Sequence, residues 1–418
     1  MASTSMMAAN TYQIPYEADI FLDKMIYNPG DSVNGQVTLR LAKKMCCDTV
    51  TVKLEGIARV FFIQKSTKPA NFGQSVGYEQ QITLVDQTQN VWITMNQNIR
   101  KALTLDEVVR SSRSTAIKMP NKTENSPGLA QGNHTFNFSF PLPQAGLYTS
   151  FDAKDSAGYV RYNILLKVFN GSAPVLRKKL LFAVVVPKVL SNIPMPLKER
   201  ETTQRKDFDK NSYLSVQLTI DKRVYVPGEP IVGTIFIDNK SGKSVKYALL
   251  YIKQETVCYS AQPEIQIHES VSKTNGMGLT VHKIPTGENL TYPIKFNVPA
   301  LIPNLDVPNC IQTNYHIQLD VGFNRQSPKG APISIKLPIS IGTHLQNPND
   351  RSFPDAPPAY EEIENHKDHN ASLYPSFPPD YSESTMGLST IDSEDGYTPL
   401  CYHYNFAFNQ EEEEKKNN

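Results

Sequence analysis

Two short stretches carry the sharpest chemistry in this chain: Pro357-Pro358-Ala359-Tyr360 and Pro378-Pro379-Asp380-Tyr381. Paired prolines fix φ and favour polyproline II, so little conformational entropy is lost when such a segment binds. That helix lays its prolines into an aromatic-lined groove of the kind a WW domain provides. The tyrosine stands three residues after the first proline, one turn on, and fills a neighbouring pocket. Glu361, Glu362 and Glu383 follow closely. They would meet a basic rim on the partner, which speeds encounter more than it tightens binding. The two tyrosines are 21 positions apart. A flexible chain of that length spans roughly 25 Å, a reach suited to two domains of one partner. Bivalency of that kind multiplies weak affinities by roughly 10² or more. The expected WW-binding residues are therefore Pro357, Pro358, Tyr360, Pro378, Pro379 and Tyr381.

Other residue types offer less. His366 and His369 would share a helix face, but they lie in a polar stretch with no cysteine pair nearby, so no metal site is expected. Cys401 and His403 form no ligand spacing. Adjacent Cys46 and Cys47 read as small core or loop residues. No phosphate-binding loop, nucleophile elbow or H-E-x-x-H pattern occurs. No catalytic residue and no cofactor is expected, and the chain is not read as an enzyme.

The elements that must carry the two motifs are strands. Val33, Val37, Leu39 and Leu41 alternate with polar residues, with Gly35 on the apolar side. The same period of two runs through Val50 to Leu54, Phe136 to Phe140, Tyr162 to Val168, Val216 to Ile220 and Ile333 to Ile341. Period two over so many short segments, separated by Gly, Pro and Asn, means antiparallel sandwiches with one buried face per sheet. Pro338 inside the last run implies an edge strand or a bulge.

A repeat divides the body. Ile26-Tyr27-Asn28-Pro29-Gly30-Asp31-Ser32-Val33-Asn34-Gly35 resembles Val224-Tyr225-Val226-Pro227-Gly228-Glu229-Pro230-Ile231-Val232-Gly233, 198 residues later. Each copy is a strand end, a Pro-Gly turn and a new strand. The spacing is that of whole domains. The expected organisation is a β-sandwich over 12–187, a linker over 188–210, a second sandwich over 211–345, and a tail over 346–418. One stretch, 97–132, reads as an insertion, with a capping-box pattern at Thr104-Leu105-Asp106-Glu107 and a short helix over 105–112. It is read more readily as a surface helix than as a partner-contacting loop.

Length and charge bound the rest. The 418 residues suffice for two or three domains. The formal net charge is +1, but from Asn347 onward there are 15 acidic and 4 basic residues, leaving 26 acidic and 38 basic in the body. A body of +12 thus carries a tail of −11. Eight of the 30 prolines fall in that tail. Its composition predicts disorder. The near-neutral total argues against a general nucleic-acid binder. The longest apolar run, Leu180 to Val186, is seven residues, far short of a bilayer span. No signal peptide is visible at the N-terminus, and five cysteines suit reduced thiols in the cytosol.

These residues together resemble the arrestin-domain-containing proteins, or α-arrestins. The resemblance rests on the duplicated Y-x-P-G-[DE]-x-[IV]-x-G opening, and on Ser150-Phe151 with Gly158-Tyr159-Val160-Arg161-Tyr162. It also rests on Cys310-Ile311 with Tyr315, on Leu337 to Thr343, and on the two tail motifs. It covers roughly residues 12–345, and the insertion departs from the family's typical length. It implies an all-β fold of two tandem arrestin-like sandwiches plus a disordered tail. It also implies an adaptor: WW-domain HECT ubiquitin ligases of the Nedd family dock on the tail, and the body engages membrane receptors or transporters. The cargo is then ubiquitinated and sorted through endocytosis or endosomes. The expected location is cytoplasmic, peripheral at plasma membrane and endosomes. A peripheral contact with anionic membrane fits the basic body. Two alternatives stand beside this reading: a redox or metabolic regulator binding a thioredoxin-like partner through a cysteine, and a retromer-like sorting subunit.

Overall fold

A computed structural model describes residues 16–66, 72–94, 128–191, 200–274, 277–278, 283–324, 331–346, 380–386 and 397–406. The elements named among them are all β-strands. The first group is β1 (Tyr16–Leu22), β2 (Ile26–Tyr27), β3 (Ser32–Leu41), β4 (Met45–Cys46), β5 (Thr49–Lys65), β6 (Ser75–Ile93), β7 (Gly128–Leu129) and β8 (Gly132–Pro141). There follow β9 (Phe151–Asp152), β10 (Gly158–Asn170), β11 (Ala173–Val184), β12 (Val189–Ser191) and β13 (Glu201–Asp209). The second repeat supplies β14 (Ser212–Ile220), β15 (Val224–Tyr225), β16 (Pro230–Lys240), β17 (Tyr247–Ser260), β18 (Gln266–Lys273), β19 (Met277–Gly278), β20 (Asn289–Asn297), β21 (Asp306–Val307), β22 (Ile311–Gly322), β23 (Ile333–Ile341) and β24 (His344–Gln346). The tail adds β25 (Asp380–Glu383) and β26 (Leu400–His403).

Packing divides the chain into two units. The first is Met1–Gly56, Thr83–Gly146 and Tyr162–Phe182; the second is Ile57–Ile82, Leu147–Arg161 and Ala183–Asn418. The sheets are antiparallel in the main. One is ordered β1-β3-β8, and another β2-β11-β10-β5-β6 with β9 on β10. The predicted alternation decides which side chains go inside. In the first unit Val33, Val37, Leu39, Val50, Val52, Leu54, Ile164, Leu166 and Val168 are fully buried. Gly35 belongs to this inward row because it pairs with Phe138, and a Cβ there would strike the Phe138 ring and the Phe21 carbonyl.

In the second unit a four-stranded sheet, β13-β14-β16-β20, faces a sheet ordered β15-β23-β22-β17-β18, with β19 on β17 and β21 on β22. Leu214, Val216, Leu218 and Ile220 of β14 join Ile317, Leu319 and Val321 of β22 and Ile333 to Ile341 of β23 in one core cluster. Each such buried aliphatic side chain contributes about 1.5–3 kcal/mol by leaving water. Pro338 lies on the last of these strands, where β15 pairs only with Ser340 and Ile341. The proline therefore sits at an essentially open edge, as expected of a residue with no amide hydrogen.

The repeated turn is built alike in both units. Gly30 and Gly228 adopt φ of +87° and +90°, the left-handed region that Pro-Gly turns need. Tyr27 and Tyr225 are fully buried, and their hydroxyls donate to Asp23 and Asp221. Asp31 accepts from the Asn28 amide, and Glu229 from the Val226 amide, closing each turn. Lys24 pairs with Asp31, and Lys222 with Glu229. Asp23-Lys24 and Asp221-Lys222 thus extend the repeat backwards by polar residues that hydrophobic periodicity does not reveal.

Two regions differ from the sequence expectations. The stretch expected to be a linker holds β12, which runs parallel to β24, and β13, which pairs along its length with β14. From Thr203 to Asp209 the side chains of β13 are exposed, so it has no inward apolar row to mark it in the sequence. Within the tail, where disorder was expected, β25 and β26 pair as a hairpin. The expected helix at 105–112 lies outside the described residues.

Candidate functional site

Of the six expected WW-binding residues, Pro357, Pro358, Tyr360, Pro378 and Pro379 lie outside the described residues. Tyr381 is described, and it stands in β25. The register pairs Tyr381 with Tyr402, Ser382 with Cys401 and Glu383 with Leu400. The Tyr381 and Tyr402 rings lie 5.7 Å apart, and Tyr402 in turn meets His344 edge-on at 5.7 Å. Tyr381 keeps 53% of its surface exposed.

The hairpin is fastened to the second unit at both ends. After β25, the Thr385 amide donates to the Ala300 carbonyl at 2.8 Å, and Met386 is buried in the core cluster. After β26, the Tyr404 amide donates to the Pro227 carbonyl at 3.0 Å. The Tyr404 hydroxyl donates to the Thr343 carbonyl at 2.6 Å, and its ring is buried. The carbonyl of Tyr404 lies so close to Gly228 that a Cβ there would collide with it. The second Pro-Gly turn is thus part of the seat for the tail. Thr343 also accepts the Lys188 amide on its hydroxyl at 2.7 Å, so one residue holds the tail and the connection before β12. Burial lowers the pKa of His344 and raises that of Tyr404, keeping both neutral in this apolar seat.

Met386 is a single apolar anchor with no period around it. Tyr404 shares one parity with Leu400, Tyr402 and Phe406, a signal that the polar average of the tail obscures.

The residues that carried the family resemblance have structural duties. Arg161 makes a bidentate pair with the buried carboxylate of Asp152, at 2.8 and 3.2 Å, and stacks over Tyr159. The Ser150 hydroxyl accepts the Val184 amide at 2.9 Å. The Tyr315 hydroxyl donates to the Ile302 carbonyl at 3.0 Å and accepts from Gln254 at 2.8 Å. These are joints between strands, and none presents a reactive group to solvent.

The cysteines divide sharply. Cys46 is exposed; Cys47, Cys258, Cys310 and Cys401 are buried. Burial pushes the Cys258 thiol up to about 12, with Asp155 adding to it; burial takes the Cys310 thiol to about 11 and the Cys401 thiol to about 12. Burial raises the Cys47 thiol as well. A thiol that stays protonated is a poor nucleophile, so these four are ill suited to exchange with a redox partner. Among the described residues, no group of three or more potential ligands is placed to hold a metal ion. No helix of the described residues is long and apolar enough to cross a membrane.

Comparison with known proteins identifies the scaffold. Residues 18–190 match the model for the arrestin (or S-antigen) N-terminal domain, and residues 210–346 match that for the arrestin C-terminal domain. Protein ttm-2 of Caenorhabditis elegans is 23% identical over 331 residues, covering 78% of this chain and 89% of that protein. Arrestin domain-containing protein 5 of Homo sapiens is 22% identical over 286 residues, 66% of this chain and 72% of the relative. Arrestin domain-containing protein 1 of Mus musculus is 23% identical over 342 residues, 79% of this chain and 65% of the relative. Neither matched model describes an enzyme family, and the arrestin scaffold supports a role as a trafficking adaptor. With both arrestin domains present in order, and with relatives named for them, the chain belongs to the arrestin-domain-containing, or α-arrestin, family.

Proposed function

We propose that this protein is a ubiquitin-ligase adaptor: its tail captures WW-domain HECT ligases of the Nedd family, and its arrestin body engages a membrane receptor or transporter. The observation that carries this reading is the pair of P-P-x-Y motifs, at Pro357 to Tyr360 and Pro378 to Tyr381, on an arrestin scaffold. The product of the pairing is proximity, so that cargo is ubiquitinated by the ligase and then sorted by endocytosis or in endosomes. The adaptor itself needs no catalytic group.

The body offers surfaces consistent with this role. Its net charge of +12 suits an anionic membrane face or an acidic receptor tail. Ile267 and Val271 of the edge strand β18 are exposed, as are Phe61 and Ile63 of β5. Gln64 joins these strands by donating to the Ile267 carbonyl and accepting from Gln266. Exposed apolar side chains on an edge strand suit contact with another chain.

The test is capture of the ligase in cells. Wild type and a Tyr360→Ala/Tyr381→Ala variant are compared by proximity labelling. The wild type should mark WW-domain ligases together with a membrane cargo, and the variant should lose the ligases while keeping the cargo. Loss of neither would refute the adaptor reading.

A further inference from the structure

The second motif ends inside a folded element. Tyr381 belongs to a hairpin with fixed backbone pairing, whereas a P-P-x-Y segment bound to a WW domain must present an unpaired polyproline II backbone and deliver its tyrosine into a pocket. One strand edge of β25 is already taken by β26, and one face of the Tyr381 ring is turned to Tyr402. Two anchors hold this arrangement from outside the motif. Met386 lies five residues after Tyr381 and is buried to 1% exposure, while Tyr404 is buried to 2% and bonded to both Pro227 and Thr343.

We propose that the end of the second arrestin sandwich is a docking site for the chain's own tail, and that the docked hairpin withholds the second P-P-x-Y motif from WW domains until it is released. This rests on the WW-binding reading of the motifs given above. The occupant is fixed by the contacts: the seat of Pro227, Gly228, Ala300 and Thr343 holds Thr385 and Tyr404. The seat is apolar and hydrogen-bonded. A WW domain competes with docking, so its apparent affinity for this motif falls by the fraction of molecules in which the hairpin is open. Partner binding at the first motif raises the local concentration of a second WW domain, which then favours opening. A single WW domain would therefore read one site strongly, and a tandem pair would read both.

The experiment uses an isolated WW domain titrated by calorimetry against three species. These are a peptide of residues 374–385, the full chain carrying Tyr360→Ala, and that same chain ending after Met386, which lacks β26 and Tyr404. The peptide should bind, the full chain should bind at least tenfold more weakly, and the shortened chain should recover most of the difference. A thermal melt of the arrestin body checks that the shortened chain is folded. A measurement without truncation runs beside it: excess WW domain should accelerate hydrogen exchange of the Thr385 and Tyr404 amides. Equal affinity of peptide and full chain, with those amides still protected in the complex, would overturn the proposal. A peptide that fails to bind would instead sink the WW reading on which it rests.

Discussion

Tyr404 does more than the acidic, proline-rich average of the tail implies. Its hydroxyl and amide each make a hydrogen bond to a body carbonyl, worth about 0.5–1.5 kcal/mol apiece, and its ring is buried. These contacts are invisible to sequence reading because the partners, Pro227 and Thr343, are far away in the chain. By contrast, Tyr381 was legible from its motif alone. Two outcomes follow at this scale. Arg161→Ala should destabilise the body by about 3–5 kcal/mol, because it strips the bidentate partner from the buried carboxylate of Asp152. Urea melts would measure this, and a cost below about 1 kcal/mol would mean that the pair is dispensable. The thiols supply the second outcome. Iodoacetamide at neutral pH should modify Cys46 well before Cys47, Cys258, Cys310 and Cys401 in the folded chain. Mass spectrometry showing uniform labelling would contradict the packing and revive a thiol-exchange role.

The strands divide by how they bury their side chains. β3, β14 and β23 each set an apolar row against the core, so their alternation was readable at once. β13 was not readable, since it pairs with β14 through its backbone while turning polar side chains to solvent. β25 and β26 are four residues each, and they depend on anchors beyond their ends. The tail's average composition pointed to disorder, and that average concealed one apolar clip. Met386→Ala should therefore cost the second unit about 2–5 kcal/mol, as for other buried long side chains. The same change should also make WW binding at Tyr381 stronger. A surface methionine would give a change below about 0.5 kcal/mol and no effect on binding.

For the whole molecule, the family and the all-β class were legible from the repeat, because each Pro-Gly turn needs its glycine, whereas the aspartates that hold the buried tyrosines lay outside the repeat as read. The charge split, +12 against −11, raised the question of whether the tail folds back on the body without answering it. Among the described contacts are the buried Met386 and the hydrogen bonds of Thr385 and Tyr404 to body carbonyls. Raising salt from 50 to 500 mM should leave the exchange protection of the Thr385 and Tyr404 amides unchanged, whereas exposed ion pairs would be screened. Salt-driven loss of protection would place the tail's attachment in its charges.

The central claim is that this arrestin body reaches its ligase through the two tail tyrosines. Its most direct test is a pulldown of full-length chain on immobilised tandem WW domains, comparing wild type with Tyr360→Ala, Tyr381→Ala and the double variant. The account predicts strong capture of wild type, weakened capture of Tyr360→Ala and of Tyr381→Ala through lost bivalency, and no capture of the double variant. Undiminished capture of the double variant would contradict it.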